Sequence, residues 1–288
     1  MTFNEGANVG SGKVSRRGRN GAIAGGGGLV GVIAVFLIAQ FTGIDLSGFL
    51  GGGGATGPEE ELNCTVEQAN TDDDCRVEGA AASLDVYWSD LAPQLGFAYS
   101  TPPVVIFDGA TSTGCGNATS AVGPFYCPPD ATIYLDTAFY AELRSQFGAS
   151  GGNLAQMYII AHEWGHHIQH LAGITDGLDL QATGDDSDSV RLELQADCFA
   201  GAWVGAASTI KDDAGVTFLK PVTQQQINDA LNAAAAVGDD NIQEKTQGQS
   251  NPESWTHGSS ASRQKWFETG RAGGPSACNT FEVSGSAL

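Results

Sequence analysis

The segment His162-Glu163-Trp164-Gly165-His166, led in by Met157, Ile159, Ile160 and Ala161, constrains the fold more than any other part of the chain. Two imidazoles four residues apart converge only on a helix, where four residues advance about 6 Å and turn about 400°. Asn153 with Gln156 three residues on reads as the cap of that helix. His162 and His166 then project from one face within reach of a single ion, and zinc accepts two neutral imidazoles readily. Glu163 lies too close to His162 to share the first coordination sphere easily. It is placed instead to take a proton from a water at the ion.

A third ligand is expected from Glu193-Leu194-Gln195-Ala196-Asp197, 27 residues after His166, on a helix whose start is signalled by Ser187, Asp188 and Ser189. Glu193 and Asp197 share a face, so Glu193 completes the ligand set while Asp197 accepts a ring N–H and fixes a histidine tautomer. Two histidines and a glutamate leave one position for water, as catalytic rather than structural zinc requires.

His170 is eight residues from His162, about 12 Å along a helix axis, and is expected at the surface or supporting the ligands. His167 points about 100° from His166 and reads as structural. The long metzincin pattern needs glycine at 169 and histidine at 172; Gln169 and Ala172 exclude it. His257 precedes a helix expected from about Ala261 to Thr269. It either leads into a Ser259 or Ser260 cap or approaches the metal to stabilise a developing oxyanion, and Tyr126 is a competing donor.

The rest of the chain sets the context. Residues Ala22 to Ala39 carry no charge and follow the basic cluster Lys13, Arg16, Arg17 and Arg19. Length and flanking charge predict a cytoplasmic basic arm over 1–20, a transmembrane anchor over 21–44 and a Gly-rich linker over 45–60. An extracytoplasmic catalytic domain over 61–288 follows. A cleaved signal peptide is the rival reading of the apolar run. Beyond that run 9 basic residues face 32 acidic ones, a surface that disfavours nucleic acid.

A helix is expected over Arg76 to Leu91 and short strands at Val104–Phe107 and Ala131–Leu135. Gly123–Pro129 reads as an extended segment suited to a sheet edge. Six cysteines allow fifteen pairings. Their gaps suggest Cys64–Cys75 and Cys115–Cys127 as local staples and leave Cys198 with Cys278, which implies an oxidising compartment. The runs Asp72-Asp73-Asp74 and Asp185-Asp186 read as solvated turns, with calcium as the alternative.

Gly123-Pro-Phe-Tyr-Cys-Pro, His162-Glu-Trp-Gly-His-His-Ile-Gln, Glu193-Leu-Gln-Ala-Asp-Cys-Phe-Ala-Gly and Thr256-His-Gly-Ser-Ser-Ala together resemble the bacterial family of neutral zinc metallopeptidases, over roughly Glu78 to Phe281. The resemblance implies zinc held by His162, His166 and Glu193. It also implies an α+β fold with a zincin-like helical core and a small sheet with an edge strand. With the sequence features above, it predicts an endopeptidase at the cell membrane, Glu163 as general base, acting on a peptide or protein. Two rival readings share these residues: a zinc amide hydrolase of cell-wall material, and a non-catalytic zinc-stabilised binding module.

Overall fold

A computed structural model describes residues 2–10, 13–18 and 58–288. Five short strands form one sheet: β1 (Val14–Arg17), β2 (Glu59–Glu61), β3 (Val104–Ile106), β6 (Phe125–Cys127) and β7 (Thr132–Leu135), in the order β2-β1-β3-β7-β6. β1, β3 and β7 run parallel, while β2 and β6 close the two edges antiparallel. Between β3 and β6, β4 (Ala110–Thr113) and β5 (Gly116–Thr119) make a separate hairpin.

Eight α-helices complete the described residues: α1 (Val66–Thr71), α2 (Asp73–Leu91), α3 (Ala138–Gln146), α4 (Asn153–Leu171), α5 (Asp188–Ala206), α6 (Gln224–Ala236), α7 (Asp239–Gln247) and α8 (Ser260–Gly273). Every residue of α4 from Leu154 to Gln169 is buried, and α5 is buried almost throughout. A helix buried on all sides must be central. α4 therefore forms the axis of the molecule, touching α2, α5, α6 and the edge strand β6.

The helix ends follow local chemistry. The Ser187 side chain caps α5 by accepting from Val190 N, and Ser259 caps α8 by accepting from Ser262 N. α4 begins one residue from expectation: Gly152 is its cap, and Gln156 accepts from the buried Arg76 guanidinium instead of closing a capping box. The triple aspartate is a helix start, with Asp72 capping α2, Asp73 paired with Arg76, and Asp74 bound to Arg16 and Thr137.

α5 and α8 pack backbone to backbone. A Cβ on Gly201 would overlap the Phe267 carbonyl, and one on Gly270 would overlap the Cys198 carbonyl. Cysteines pair as Cys64–Cys75, Cys115–Cys127 and Cys198–Cys278. The last closes an 80-residue separation and ties α5 to the C-terminal segment, a constraint of about 4.5 kcal/mol on the unfolded chain in the loop-entropy account.

The expected single-pass topology is overturned. Among the described residues no helix is long and apolar enough to cross a membrane. The arm assigned to the cytoplasm also folds with the rest of the described chain. Val14, Ser15 and Arg16 pair with Val104, Val105 and Ile106, and Ser15 is hydrogen-bonded to Glu59 across the β1–β2 pair. Phe3 is buried against Gly79 of α2 and bridges to Leu219. A segment that supplies an internal strand cannot lie across a bilayer from the rest of its sheet. The run assigned to the anchor, 21–44, and linker residues 45–57 lie outside the described residues.

Candidate metal centre

Gly165, between the two motif histidines, lets α5 approach α4: a Cβ there would sit 3.0 Å from Ala196 Cα. That contact sets Glu193 and Asp197, on either side of Ala196, against the histidine face. His162 Nε2 lies 3.2 Å from Glu193 Oε2 and His166 Nε2 lies 3.4 Å from Glu193 Oε1, all three side chains buried. One ligand atom from each falls within 4.8 Å of the others. Ligand atoms bound at about 2.0–2.1 Å around a tetrahedral ion stand about 3.3 Å apart. The donor set and its spacing therefore fit zinc.

Both rings have their other nitrogen engaged. His162 Nδ1 is 2.8 Å from Asp197 Oδ1, and His166 Nδ1 is 2.9 Å from Gln169 Oε1. Engaging Nδ1 turns each Nε2 toward Glu193, the orientation a metal ligand needs. Asp197 also accepts the Tyr158 hydroxyl and both arms of the buried Arg263 guanidinium, Nε at 2.8 Å and Nη2 at 3.0 Å. Burial disfavours charge on both rings. At His162 the Asp197 carboxylate and hydrogen bonds to Asp197 and Glu193 outweigh burial and raise the ring to about 10; at His166 burial prevails and lowers it to about 4. Glu193 is held well below the usual carboxylate range by the two rings despite its burial. A cation entering here replaces the proton shared by His162 and Glu193.

Glu163 is buried beside this group but is not one of the three converging side chains. Burial pushes its carboxyl up to about 7, with Glu193 adding to the rise, while His162 and the backbone amide of Tyr126 on β6 pull it down. A carboxyl poised near neutrality is matched to proton transfer.

The remaining candidates separate. The Tyr126 hydroxyl is committed to His170 Nδ1 at 2.7 Å and His167 Nδ1 at 3.1 Å, so only its backbone amide faces Glu163. His167 bonds the Ser100 carbonyl through Nε2 at 2.7 Å, and His170 is exposed at the end of the helix. His257 is buried and exchanges charge effects with Glu193. Its Nδ1 lies 3.1 Å from Asp239 Oδ1, and the other oxygen of Asp239 accepts the backbone amides of Thr256, His257 and Gly258.

No sequence pattern marks Gln169, Asp239 or Arg263 as a site residue. Arg263 comes nearest to a signal: a basic residue one turn into a capped helix of a strongly acidic chain. Asp239 and Gln169 did not stand out from ordinary helix-terminal and helix-surface residues.

A sequence model of the family described as "Putative neutral zinc metallopeptidase" matches residues 4–281. The chain belongs to this family. Membership implies a zinc cofactor, and the matched span takes in β1 as well as the metal-site helices. Relatives of this metallopeptidase-family chain include the uncharacterized protein Rv2575 of Mycobacterium tuberculosis, 49% identical over 222 residues, 76% of this chain and 74% of the relative. The uncharacterized protein YpfJ of Escherichia coli K12 is 38% identical over 269 residues, 91% of this chain and 88% of the relative. No solved structure matches the chain.

Proposed function

We propose that the protein is a zinc-dependent endopeptidase in which His162, His166 and Glu193 hold the metal and Glu163 is the general base. The observation that carries this reading is the division of labour among buried acids. Glu193 faces both Nε2 atoms, Asp197 faces away toward Nδ1 and Arg263, and Glu163 stands buried beside the group without being one of the three converging side chains. A purely structural ion has no use for that third acid.

Zinc, when bound, supplies Lewis acidity toward water and the scissile carbonyl. Glu163 takes the proton of the attacking water and returns it to the leaving amine, and the Tyr126 backbone amide orients its carboxylate. His257, fixed at Nδ1 by Asp239, turns Nε2 to the developing oxyanion; a charge raised on the ring by Asp239 against the effect of burial makes that nitrogen a donor. Among the described residues β6 has a strand neighbour on one side only, and its Tyr126 amide ties that strand to Glu163.

The test is cleavage of a mixed peptide library by the wild type and by Glu163→Gln. The wild type cleaves only with metal, and the variant keeps zinc and loses turnover. Undiminished turnover removes Glu163 from the mechanism. Cleavage confined to cell-wall fragments would assign the same residues to another amide.

A further inference from the structure

The two metal-site histidines are oriented by different chemistry. His162 is fixed by a carboxylate, but His166 Nδ1 meets the neutral side chain of Gln169 at 2.9 Å. Gln169 Nε2 donates to the Leu192 carbonyl at 2.7 Å and to Gln195 Oε1 at 3.1 Å, and Gln195 Nε2 donates to the Cys278 carbonyl at 2.9 Å. Gln169 and Gln195 are both buried.

An isolated amide side chain can exchange its oxygen and nitrogen by a half-turn. Neither of these can. Leu192 and Cys278 present only carbonyl lone pairs, so each glutamine must face its carbonyl with nitrogen. That choice turns Gln195 Oε1 to Gln169 and Gln169 Oε1 to His166, which must then carry its proton on Nδ1 and its lone pair on Nε2, toward Glu193. The far end of the relay is fixed as well, because Cys278 is bonded to Cys198 on α5, next to Asp197. The Leu192 carbonyl precedes Glu193 directly, so one glutamine ties the level of both ligands together. Being neutral, the relay adds no charge to a site already crowded with Glu163, Glu193 and Asp197.

We propose that Gln169 and Gln195 are positioning residues for His166, a two-amide relay from the Cys278 carbonyl that sets the affinity of the site for zinc. The inference rests on the zinc reading above. Removing a hydrogen-bond partner of a ligating histidine costs about 10–100-fold in metal affinity. Methionine preserves length and burial while deleting the amide.

The experiment is chelator competition for zinc on the full-length wild type, Gln169→Met, Gln195→Met and the double variant, with thermal unfolding of each measured alongside. Gln169→Met is expected to bind zinc about 10–100-fold more weakly and Gln195→Met to show a smaller loss. The double variant should match Gln169→Met alone, because the outer link has no route to His166 once the inner one is gone. Independent packing effects would multiply instead. Multiplying losses, or wild-type affinity in Gln169→Met, overturn the proposal.

Should the variants fail to fold, nitrogen-15 spectra of the wild type after zinc removal decide the matter. His166 held in the Nδ1–H tautomer supports the relay, and a tautomer mixture overturns it. Wild-type protein that binds no zinc would defeat the proposed function and this inference together. Tight wild-type binding with unaffected variants would defeat this inference alone.

Discussion

Asp197 and Arg263 form a fully buried two-armed ion pair, Nε to Oδ2 at 2.8 Å and Nη2 to Oδ1 at 3.0 Å, directly behind the ring of His162. The pair joins α5 to α8 and compensates the carboxylate that orients the histidine. Arg263→Met strips that buried carboxylate of its guanidinium, leaving it only the Tyr158 hydroxyl and the His162 ring, and is expected to destabilise the fold by about 3–5 kcal/mol in chemical denaturation. Asp197→Ala instead removes the partner of His162 Nδ1 and should weaken zinc binding by about 10–100-fold. Unchanged stability in the first variant would remove the ion pair from the framework of the site.

Gly201 tests the contact that holds this pair together. The atom its Cβ would strike is the backbone carbonyl of Phe267, which cannot swing aside as a side chain can. Gly201→Ala should therefore push α8 off α5 and cost about 3 kcal/mol, read as a lowered denaturant midpoint. An alanine variant of wild-type stability would show that the helices do not approach this closely.

The Asp239–His257 pair predicts a pH window. Burial would raise the Asp239 carboxyl, but the His257 charge and the hydrogen bonds from His257 and Thr256 hold it below its usual value. Its contribution is present above about pH 4 and disappears as pH falls through the lowered pKa. Burial would lower the His257 ring, but the Asp239 carboxylate raises it. That contribution is complete below about pH 6.5 and disappears as pH rises through the raised pKa. The stability difference between wild type and Asp239→Asn, measured zinc-free, should be largest between those limits. A difference that grows steadily toward alkaline pH would contradict the pairing.

The convergence of the motif histidines with Glu193 is legible because helices impose fixed spacing on side chains. The motif histidines, Glu193 and Asp197 announce themselves by four-residue intervals, and the serines that cap α5 and α8 mark where those helices begin. Partners that arrive from elsewhere in the chain left no such mark. Gln195 reads as an ordinary helix residue until Cys278 supplies its acceptor, and Tyr126 looked like an oxyanion donor because nothing in the sequence places His167 and His170 against its hydroxyl. The membrane topology failed for the same reason. Val14 to Arg17 is a short basic stretch whose strand partners lie at Glu59–Glu61 and Val104–Ile106, and local pattern cannot distinguish such a strand from a charged flank of an apolar run.

The central claim, that two imidazoles and one carboxylate from neighbouring helices share a single zinc ion, is tested most directly by the metal content of the purified full-length protein. One zinc per chain in the wild type, and substantially less in Glu193→Ala of unchanged fold, is the predicted result. A full complement of zinc in that variant, or none in the wild type, would contradict it.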